Sequence, residues 1–298
     1  MHYIILTSYN QPEQTIKAIE ALLNQNIKEK FKIIVSDPFS EIEKILKNRF
    51  KKEFKTKKIE FFLDPGEGKS YALNIILEKI YSKNNNEIII LTDGDVFVSE
   101  NAISEILNSF KNKKVGIVTG RPISLDSRKT LFGYFSHLAF DGIHKVREKL
   151  SREGKFFECS GYLFAFRNGI LQGFPLETSE DAIIPYLFWK KGYKVKYVPK
   201  AKVYVLNNYS FKSYIKQKLR NIKAHENLNF LAKDMPRTKS FWNEVKYGTG
   251  FALKYPKNLR EVFYTLIFFV IRFYVYLKAF FDIKLKKKTY RDGWRAEE

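Results

Sequence analysis

The stretch that decides the fold is Glu87-Ile88-Ile89-Ile90-Leu91-Thr92-Asp93-Gly94-Asp95. Its run of isoleucine and leucine is too short for a helix and predicts a strand buried on both faces. Open α/β sheets bind ligands beyond the carboxyl ends of their strands, which is where the two aspartates stand. Residues two apart in an extended chain point to the same side, so Asp93 and Asp95 can converge on one hard cation, Mg²⁺ or Mn²⁺. A polar turn after a buried strand is the alternative.

Short apolar runs alternate with helical stretches on both sides of this strand. Further strands are predicted at 3–6, 31–35, 59–63 and 115–119. Helices are predicted to begin near residues 10, 40 and 69; the first has Pro12 in its opening turn, where a missing N–H costs nothing. This alternation predicts an α/β fold with a mainly parallel, twisted sheet and helices on both faces.

The pattern is less regular after Gly120. A helix is predicted over about 128–150, a strand over 157–166, and a helix from Thr178. The remaining predicted elements are two short strands at 194–198 and 202–205, broken by Pro199, and a basic helix at about 211–231. Beyond Pro236 the composition becomes aromatic and apolar, which predicts a helical C-terminal region.

The charge balance restricts the partners of this chain. Its 298 residues include 53 Lys and Arg against 32 Asp and Glu, a formal net charge of +21. This excess indicates anionic partners: phosphorylated substrates, acidic lipid headgroups or nucleic acid. The one cysteine, Cys159, excludes an internal disulfide framework and favours a reducing compartment. Met1-His2-Tyr3 leads directly into an apolar strand, so no signal peptide is expected.

Two further motifs contain charged residues beside predicted helix starts. Gly66-Glu67-Gly68-Lys69-Ser70 is similar to a nucleotide-binding P-loop, but Leu63 occupies the position of the first glycine. A glycine-rich turn with Lys69 could still hold a phosphate at a helix N-terminus. Glu180-Asp181 is a second acidic pair, and its alternative role is a first-turn interaction with the helix dipole. His225, on a basic helix, is interpreted as structural or solvated.

Seven groups of residues occur in the order typical of family-2 glycosyltransferases, and the chain resembles that family from Tyr3 to about Arg220. They are Thr7-Ser8-Tyr9-Asn10, Asp37, Gly68-Lys69 with Asn74, Asp93-Gly94-Asp95, Cys159-Ser160-Gly161, Glu180-Asp181 and Gln217-Lys218-Leu219-Arg220. Each group is a weak signal alone, and seven in order are a strong one. The resemblance implies the GT-A fold and a nucleoside-diphosphate sugar as donor.

The resemblance also implies a role for each matching residue. The nucleotide contacts would come from Thr7, Tyr9, Asn10, Asp37, Gly68, Lys69 and Asp93. Asp93 and Asp95 would hold a Mn²⁺ or Mg²⁺ ion that bridges the diphosphate. The catalytic set would be the general base Asp181, its neighbour Glu180, and Gln217 and Arg220 near the acceptor and diphosphate. Asn221 stands where the family has tryptophan, which weakens an inference of processive synthesis.

The function expected from this resemblance is an inverting transfer of a sugar to a hydroxyl of a carbohydrate or lipid-linked acceptor. One alternative is a Mg²⁺-dependent phosphatase resembling the haloacid dehalogenases, whose nucleophile loop is similar to Asp93-Gly94-Asp95-Val96. That loop normally follows the first core strand, whereas three strand–helix units precede it here. The other is a basic nucleic-acid-binding module. No nucleic acid is expected, because the aromatic residues concentrate after 240 instead of interleaving along a basic groove.

Three regions are predicted: a catalytic domain at 1–205, a basic helix completing the active site at 206–240, and an aromatic-rich region at 241–298. Residues 258–283 are expected to dock on an anionic membrane surface without crossing it. Their longest uncharged stretch, 262–271, is half of the roughly 20 residues that a spanning helix needs. The basic flanks are Lys254, Lys257, Arg260 and Lys284–Lys288. This predicts a cytoplasmic, peripheral protein; the alternative is a helix that packs on the catalytic domain or forms a dimer.

Overall fold

A computed structural model describes residues 1–176, 178–207, 209–236 and 241–285. Eight strands form one sheet: β1 His2–Thr7, β2 Phe31–Asp37, β3 Ile59–Leu63, β4 Ile88–Asp93, β5 Val96–Val98, β6 Val115–Ser124, β7 Leu163–Arg167 and β8 Lys194–Val205. Their order across the sheet is β3-β2-β1-β4-β7-β6-β8-β5. The pairs β1–β2, β1–β4, β2–β3 and β6–β8 are parallel, and β4–β7, β6–β7 and β5–β8 are antiparallel.

Helices cover the sheet and extend beyond it. They are α1 Pro12–Leu23, α2 Ser40–Arg49, α3 Lys51–Lys55, α4 Lys69–Ile80, α5 Ala102–Ser109, α6 Leu131–Arg152, α7 Glu180–Lys190, α8 Phe211–Leu231, α9 Phe241–Asn243, α10 Thr249–Lys254 and α11 Leu259–Phe280. Two π-helical segments, Glu244–Gly248 and Phe281–Leu285, adjoin α10 and α11. The predicted α/β class with a C-terminal helical extension is therefore confirmed.

The central strand β4 is buried on both faces, as its run of apolar residues predicts. Ile88 and Ile90 belong to one hydrophobic core, whereas Ile89 and Leu91 belong to a second core. Successive side chains of a strand point to opposite faces, so the two cores lie on opposite sides of the sheet. Amphipathic helices cover each side of the sheet, so the sheet is the middle layer between two hydrophobic cores.

Some predicted boundaries were wrong, and local contacts explain them. The strand predicted over 157–166 begins only at Leu163, because the preceding backbone is bonded by side chains instead of a neighbouring strand. The Arg147 guanidinium donates to the Glu158 and Cys159 carbonyls, and the Ser160 N–H donates to Thr119 Oγ1 at 3.0 Å.

Pro199 does not divide the strand in which it lies. The pairing of β6 with β8 passes from Thr119↔Tyr197 to Arg121↔Lys202, so β8 bulges between these pairs. Pro199 lies in the bulge, where no ladder hydrogen bond from its nitrogen is needed, and 194–205 is one strand. The three-residue strand β5 was not predicted, because so short a run has no periodicity.

Part of the C-terminal region packs on the helices α6 and α8. Tyr134 and Phe135 of α6, Tyr214 of α8, and Ile271 and Val275 of α11 form a third hydrophobic core. In the described part of the chain, no helix is long and apolar enough to cross a membrane. Of the predicted basic flank, Lys286 to Lys288 lie outside the described residues. The division into three regions stays a prediction.

Candidate active site

The parallel strands β1, β2 and β4 bring three polar side chains to one edge of the sheet. Thr7, Asp37 and Asp93 are the last residues of these strands, and Thr7 lies in register with Asp93. A cavity of about 1870 Å³ begins at this edge and continues between the helices beyond it. Its lining includes Thr7, Tyr9, Lys69, Asp93, Asp95, Glu180, Asp181, Gln217 and Arg220, but not Asn10, Asp37 or Gly68.

Gly94 fixes the position of the two aspartates that flank it. Its N–H donates to the Thr7 carbonyl at 2.7 Å, which holds the end of β4 against β1. A Cβ at this position would lie 2.7 Å from Ser8 Cβ and 3.1 Å from Thr15 Oγ1, so only glycine fits without displacement. Thr7 Oγ1 also donates to Asp93 Oδ1 at 2.9 Å. The motif is therefore held by backbone and side-chain contacts with the first strand.

Lys69 joins the two acidic motifs, which are far apart in sequence. Its Nζ lies 2.7 Å from Asp93 Oδ1 and 2.7 Å from Glu180 Oε1. Burial alone would lower the pKa of Lys69, but attraction to the two carboxylates outweighs burial and leaves the pKa above its ordinary value. Burial raises the pKa of Glu180, while Lys69 opposes that rise. Lys69 therefore stays cationic beside whatever anion occupies this end of the cavity.

Glu180 and Asp181 have different environments although they are neighbours in the first turn of α7. Glu180 is buried against Lys69, whereas Asp181 faces Gly161, where an added Cβ would lie 3.9 Å from the Asp181 carboxylate. Ser179 Oγ donates to Asp181 Oδ1, and the Cys159 N–H donates to the Asp181 carbonyl at 2.8 Å. The helix geometry that separates adjacent side chains by about 100° thus gives the pair two positions.

Asp37 lies behind the loop that follows β1. Its carboxylate is fully buried and accepts hydrogen bonds from Ser8 Oγ at 2.6 Å, the Asn10 N–H at 3.0 Å and the Phe39 N–H at 2.9 Å. Burial raises the pKa of Asp37, and these three donors oppose the rise. In this arrangement Asp37 stabilises the loop that carries Tyr9 into the cavity wall. Its direct contact with a nucleotide base stays a prediction.

The basic helix α8 contributes a second wall to the cavity. Gln217 Oε1 accepts a hydrogen bond from the Tyr209 hydroxyl, and Arg220 is exposed three residues further along the helix. Both side chains line the same cavity as the acidic residues. The structure therefore brings the Gln217–Arg220 motif to the site, as predicted, although it stands more than 120 residues after Asp93.

Two residues support the site: Tyr162, which sequence reasoning missed, and Asn74, which the family resemblance includes without a role. Burial raises the pKa of Tyr162 well above its ordinary value; nearby Tyr209, Asp93 and Asp95 raise it further, while Arg220 opposes them. The phenol of Tyr162 thus stays protonated between the acidic motif and α8. Asn74 holds the loop before α7 by pairing with the backbone of Phe174, with hydrogen bonds of 2.8 and 2.9 Å. The one sequence signal for Tyr162 is its place next to Cys159-Ser160-Gly161.

The carboxylate oxygens of Asp93 and Asp95 suit a divalent cation that is also coordinated by a phosphate of the substrate. Carboxylate oxygens suit Mg²⁺ and Mn²⁺, but Oδ1 of Asp93 already accepts hydrogen bonds from Thr7 and Lys69. Among the described residues, no group of three His, Cys, Asp or Glu side chains could hold a metal ion. Magnesium is typically bound by one or two carboxylates together with substrate phosphates, and these two aspartates match that pattern.

The chain resembles several solved structures throughout its length. A mannosyltransferase from Pyrobaculum calidifontis in complex with GDP-Man and Mn²⁺ has a TM-score of 0.65 at 15% identity, and the match covers 96% of this chain and 87% of that one. S. aureus TarS in complex with UDP-GlcNAc has a TM-score of 0.51 at 13% identity, with 89% and 80% of the two chains covered. At these identities the likeness shows the GT-A fold.

Curated relatives are also similar in sequence. Poly-beta-1,6-N-acetyl-D-glucosamine synthase from Staphylococcus epidermidis is 24% identical over 249 residues, 81% of this chain and 57% of the relative. The O-antigen chain rhamnosyltransferase WbaN from Salmonella anatum is 26% identical over 143 residues, 43% of this chain and 44% of the relative. The chain thus spans about half the length of these curated relatives.

The family model for glycosyltransferase like family 2 matches residues 2–224. This range contains every predicted site residue, from the loop after β1 to Arg220 on α8. The predicted family is therefore confirmed: the chain belongs to glycosyltransferase family 2.

Proposed function

We propose that the protein transfers a sugar from a nucleoside-diphosphate sugar to an acceptor hydroxyl, with inversion at the anomeric carbon. The observation that carries this proposal is the lysine bridge: Lys69 lies 2.7 Å from both Asp93 and Glu180. Asp93, Lys69, Glu180 and Asp181 all line one cavity, which supports a diphosphate-binding edge and a proton acceptor in the same site. An anionic leaving group and a proton acceptor are the two things that glycosyl transfer requires in one site.

Asp181 is the proton acceptor in this proposal. The acceptor oxygen attacks the anomeric carbon, the bond from that carbon to the diphosphate breaks, and the electron pair leaves with the diphosphate. The proton of the attacking hydroxyl passes to the Asp181 carboxylate. Glu180 cannot take the same role from its position, because it is buried against Lys69, and we assign it to positioning that lysine.

The opposite end of the reaction is stabilised by positive charge. Asp93 and Asp95 would hold the divalent cation, which when bound neutralises charge on the diphosphate. Lys69 supplies a preorganised ammonium at the same edge, and the exposed guanidinium of Arg220 lines the cavity from α8. The Mn²⁺ complex of the mannosyltransferase that this chain resembles supports Mn²⁺ as the metal to test first.

The two alternative functions receive less support. Membership of glycosyltransferase family 2 favours a glycosyltransferase over a phosphatase. Among the described aromatic residues after 240, some belong to or pack against the third hydrophobic core and others are exposed. This arrangement does not suit base stacking along a basic groove. Binding of nucleic acid without metal or sugar nucleotide is the result that would favour the basic-module alternative.

The test is a panel of UDP- and GDP-sugars incubated with Mn²⁺ and candidate acceptors. We expect release of nucleoside diphosphate that depends on donor, metal and acceptor together. Proton NMR of the product should show the anomeric configuration opposite to that of the donor. A product that retains the donor configuration would overturn the inverting assignment, and phosphate release from simple phosphomonoesters would overturn glycosyl transfer.

We propose as well that the outer surface of α11 docks on an anionic membrane. Its inner face packs on α6 and α8, but its outer face exposes large apolar side chains, among them Phe263 at 60% and Val270 at 70%. The exposed cations beside it are Lys254, Lys257, Arg260, Lys278 and Lys284. An apolar face with basic neighbours complements an anionic lipid surface, to which each lysine contributes about 1 kcal/mol.

A substitution on the outer face tests docking better than a truncation. Removing α11 would also remove Val275, which is fully buried in the third core. The double variant Phe263→Ser, Leu266→Ser changes two exposed side chains and leaves that core in place. It should lose flotation with anionic liposomes, while Ile45→Ser on α2, another exposed apolar position, should float as the wild type does. Equal flotation of all three proteins would contradict docking.

A further inference from the structure

The cavity is larger than its proposed donor needs. Ligand pockets for small molecules typically have volumes of about 300–1,000 Å³, whereas this cavity measures about 1870 Å³. Its polar end holds the lysine bridge and Asp181, as described above. The cavity therefore has room for a second ligand beside the nucleotide sugar.

The far end of the cavity is lined by aromatic and aliphatic side chains. They come from the C-terminal helices: Phe241, Phe268, Phe269, Phe273, Phe280 and Ile283. Glu244 and Arg272 of the same region also line the cavity, and their charges are paired with each other. A surface of this chemistry binds hydrocarbon, because its burial removes apolar area from water.

The segment 241–254 encloses this apolar end by contacting two helices. Phe241 packs edge-to-face on Tyr276 of α11, with ring centroids 5.1 Å apart. Arg272 of α11 binds Glu244 with an N–O distance of 2.6 Å. On the other side, Phe251 lies against Gly142 of α6, where an added Cβ would be 3.4 Å from its ring. The apolar end is thus a groove with defined walls.

The groove opens on the outer surface of α11. Phe273, Leu277 and Phe280 line the cavity and are also 62%, 44% and 56% exposed, respectively. The same helix surface carries the apolar side chains that we assign to membrane docking. A hydrocarbon chain could therefore pass from a bilayer into the groove without crossing water.

We propose that the acceptor is a lipid-linked glycan or lipid hydroxyl whose hydrocarbon chain lies in this apolar groove. Its hydroxyl-bearing head reaches Asp181, and its chain lies along Phe269 and Phe273 towards the opening at Phe280. The proposal rests on the proposed glycosyl transfer, since it assigns the acceptor class of that site. A free, water-soluble oligosaccharide would leave the aromatic walls without a partner.

Binding of alkyl glycosides tests this proposal without knowledge of the natural acceptor. The probes are methyl, hexyl and dodecyl N-acetylglucosaminide below their micelle concentrations, titrated calorimetrically into the full chain. We expect at least about tenfold tighter binding of the dodecyl than of the methyl compound, because each added methylene buries apolar area. Equal affinity for the three compounds would overturn the proposal.

A matched pair of phenylalanines on α11 tests where the hydrocarbon chain of the ligand binds. Phe263 and Phe273 stand on α11 with exposures of 60% and 62%, but only Phe273 is part of the described cavity lining. Phe273→Ser and Leu277→Ser should each lose the gain in affinity with chain length, and Phe263→Ser should keep it. Equal loss in Phe263→Ser and Phe273→Ser would show binding to the outer surface alone and overturn the groove assignment.

The two levels of the proposal fail in different ways. Binding of UDP- and GDP-sugars is titrated in the same preparations. Donor binding without any chain-length dependence would overturn the lipid acceptor and leave glycosyl transfer standing. Chain-length dependence without donor binding would overturn glycosyl transfer instead.

Discussion

The polar edge of the sheet and the C-terminal helical region are stabilised by the same kinds of contact, but they differ in how the sequence produces them. At the sheet edge, parallel strands end together, so Thr7 and Asp93 meet although 86 positions separate them. Any polar residue at a strand end arrives at that edge by topology. Contacts of the helical region depend on the angles and positions at which its long helices cross. No local sequence pattern specifies these.

The ion pair of Arg128 and Glu261 is the strongest example in the helical region. Arg128 donates two hydrogen bonds of 2.9 Å to the Glu261 carboxylate, across 133 positions of sequence. The Lys257 N–H donates to the same carboxylate at 2.8 Å, and the Glu261 side chain is only 4% exposed. The comparison teaches that the sheet edge gathers the polar groups of the proposed site, whereas these helical contacts fix α11 on the segment that leads into α6.

The largest expected effect at the sheet edge comes from Asp181→Asn. The amide cannot accept the acceptor's proton, and loss of a general base costs about 10²–10⁴-fold in rate. Donor affinity should stay within about twofold, since the proposed donor contacts lie at Asp93 and Lys69. Transfer rates and donor titrations measure the two quantities separately. Near-wild-type turnover would assign the base to another residue.

Glu261→Gln probes the helical region and should leave the chemistry intact. It breaks a buried ion pair, which typically costs about 3–5 kcal/mol of unfolding free energy. Glu148→Gln on α6 removes an exposed pair, 3.9 Å from Arg152, and should cost at most about 0.5 kcal/mol. Urea unfolding gives both values. A loss of donor affinity in Glu261→Gln, without a loss of stability, would contradict the division between the two regions.

The same glutamate predicts a pH dependence of stability. Hydrogen bonds from Arg128, opposed by burial, lower the pKa of Glu261 from 4.5 to about 2. Because the folded pKa lies below the unfolded one, the stabilisation is fully present above pH 4.5 and is lost as the pH falls towards 2. Glu261→Gln should lack this part of the acid destabilisation. Parallel stability curves for wild type and variant across this window would contradict it.

A smaller effect is expected for Lys69→Met. Hydrogen bonds to charged groups contribute about 1.5–3 kcal/mol, so donor affinity should fall at least about tenfold. Without its counter-ion, buried Glu180 should take up a proton at a higher pH than in the wild type. Lys47→Gln removes an exposed lysine 2.8 Å from Glu43 and should change nothing measurable. Equal donor affinity in both variants would separate Lys69 from the site.

The residues of the sheet edge were easier to predict from the sequence than the contacts of the helical region. The strand before Asp93, the paired aspartates and the family's ordered motifs were sufficient to predict the fold and nine residues that line the cavity. Three other predicted site residues, Asn10, Asp37 and Gly68, lie outside the lining. The lysine bridge was not predicted as a pair, because Lys69 opens α4 and Glu180 opens α7, and only the tertiary fold brings these two helix starts together. Asp37 was predicted to contact a base, but sequence alone does not show that three neighbouring donors already occupy its carboxylate.

The helical region was predictable in composition but not in contacts. An aromatic run after residue 240 predicts helix and apolar surface, and it does not indicate which face will pack on α6 and α8. Tyr134 and Thr265 share a hydrogen bond across 131 positions, and neither has a motif. The inner face of α11 is packed, as the alternative of a packed helix predicts. The outer face is exposed, and its docking on a membrane stays a prediction.

The central claim is that Asp93 and Asp95 bind the donor through a divalent cation at the edge of the sheet. Its most direct test is a titration of the wild type and Asp95→Asn with a nucleoside-diphosphate sugar, with and without Mn²⁺. We predict that Mn²⁺ tightens donor binding to the wild type by at least about tenfold, which corresponds to about 1.4 kcal/mol, and leaves binding to Asp95→Asn unchanged. An equal Mn²⁺-dependent gain in both proteins would contradict the claim.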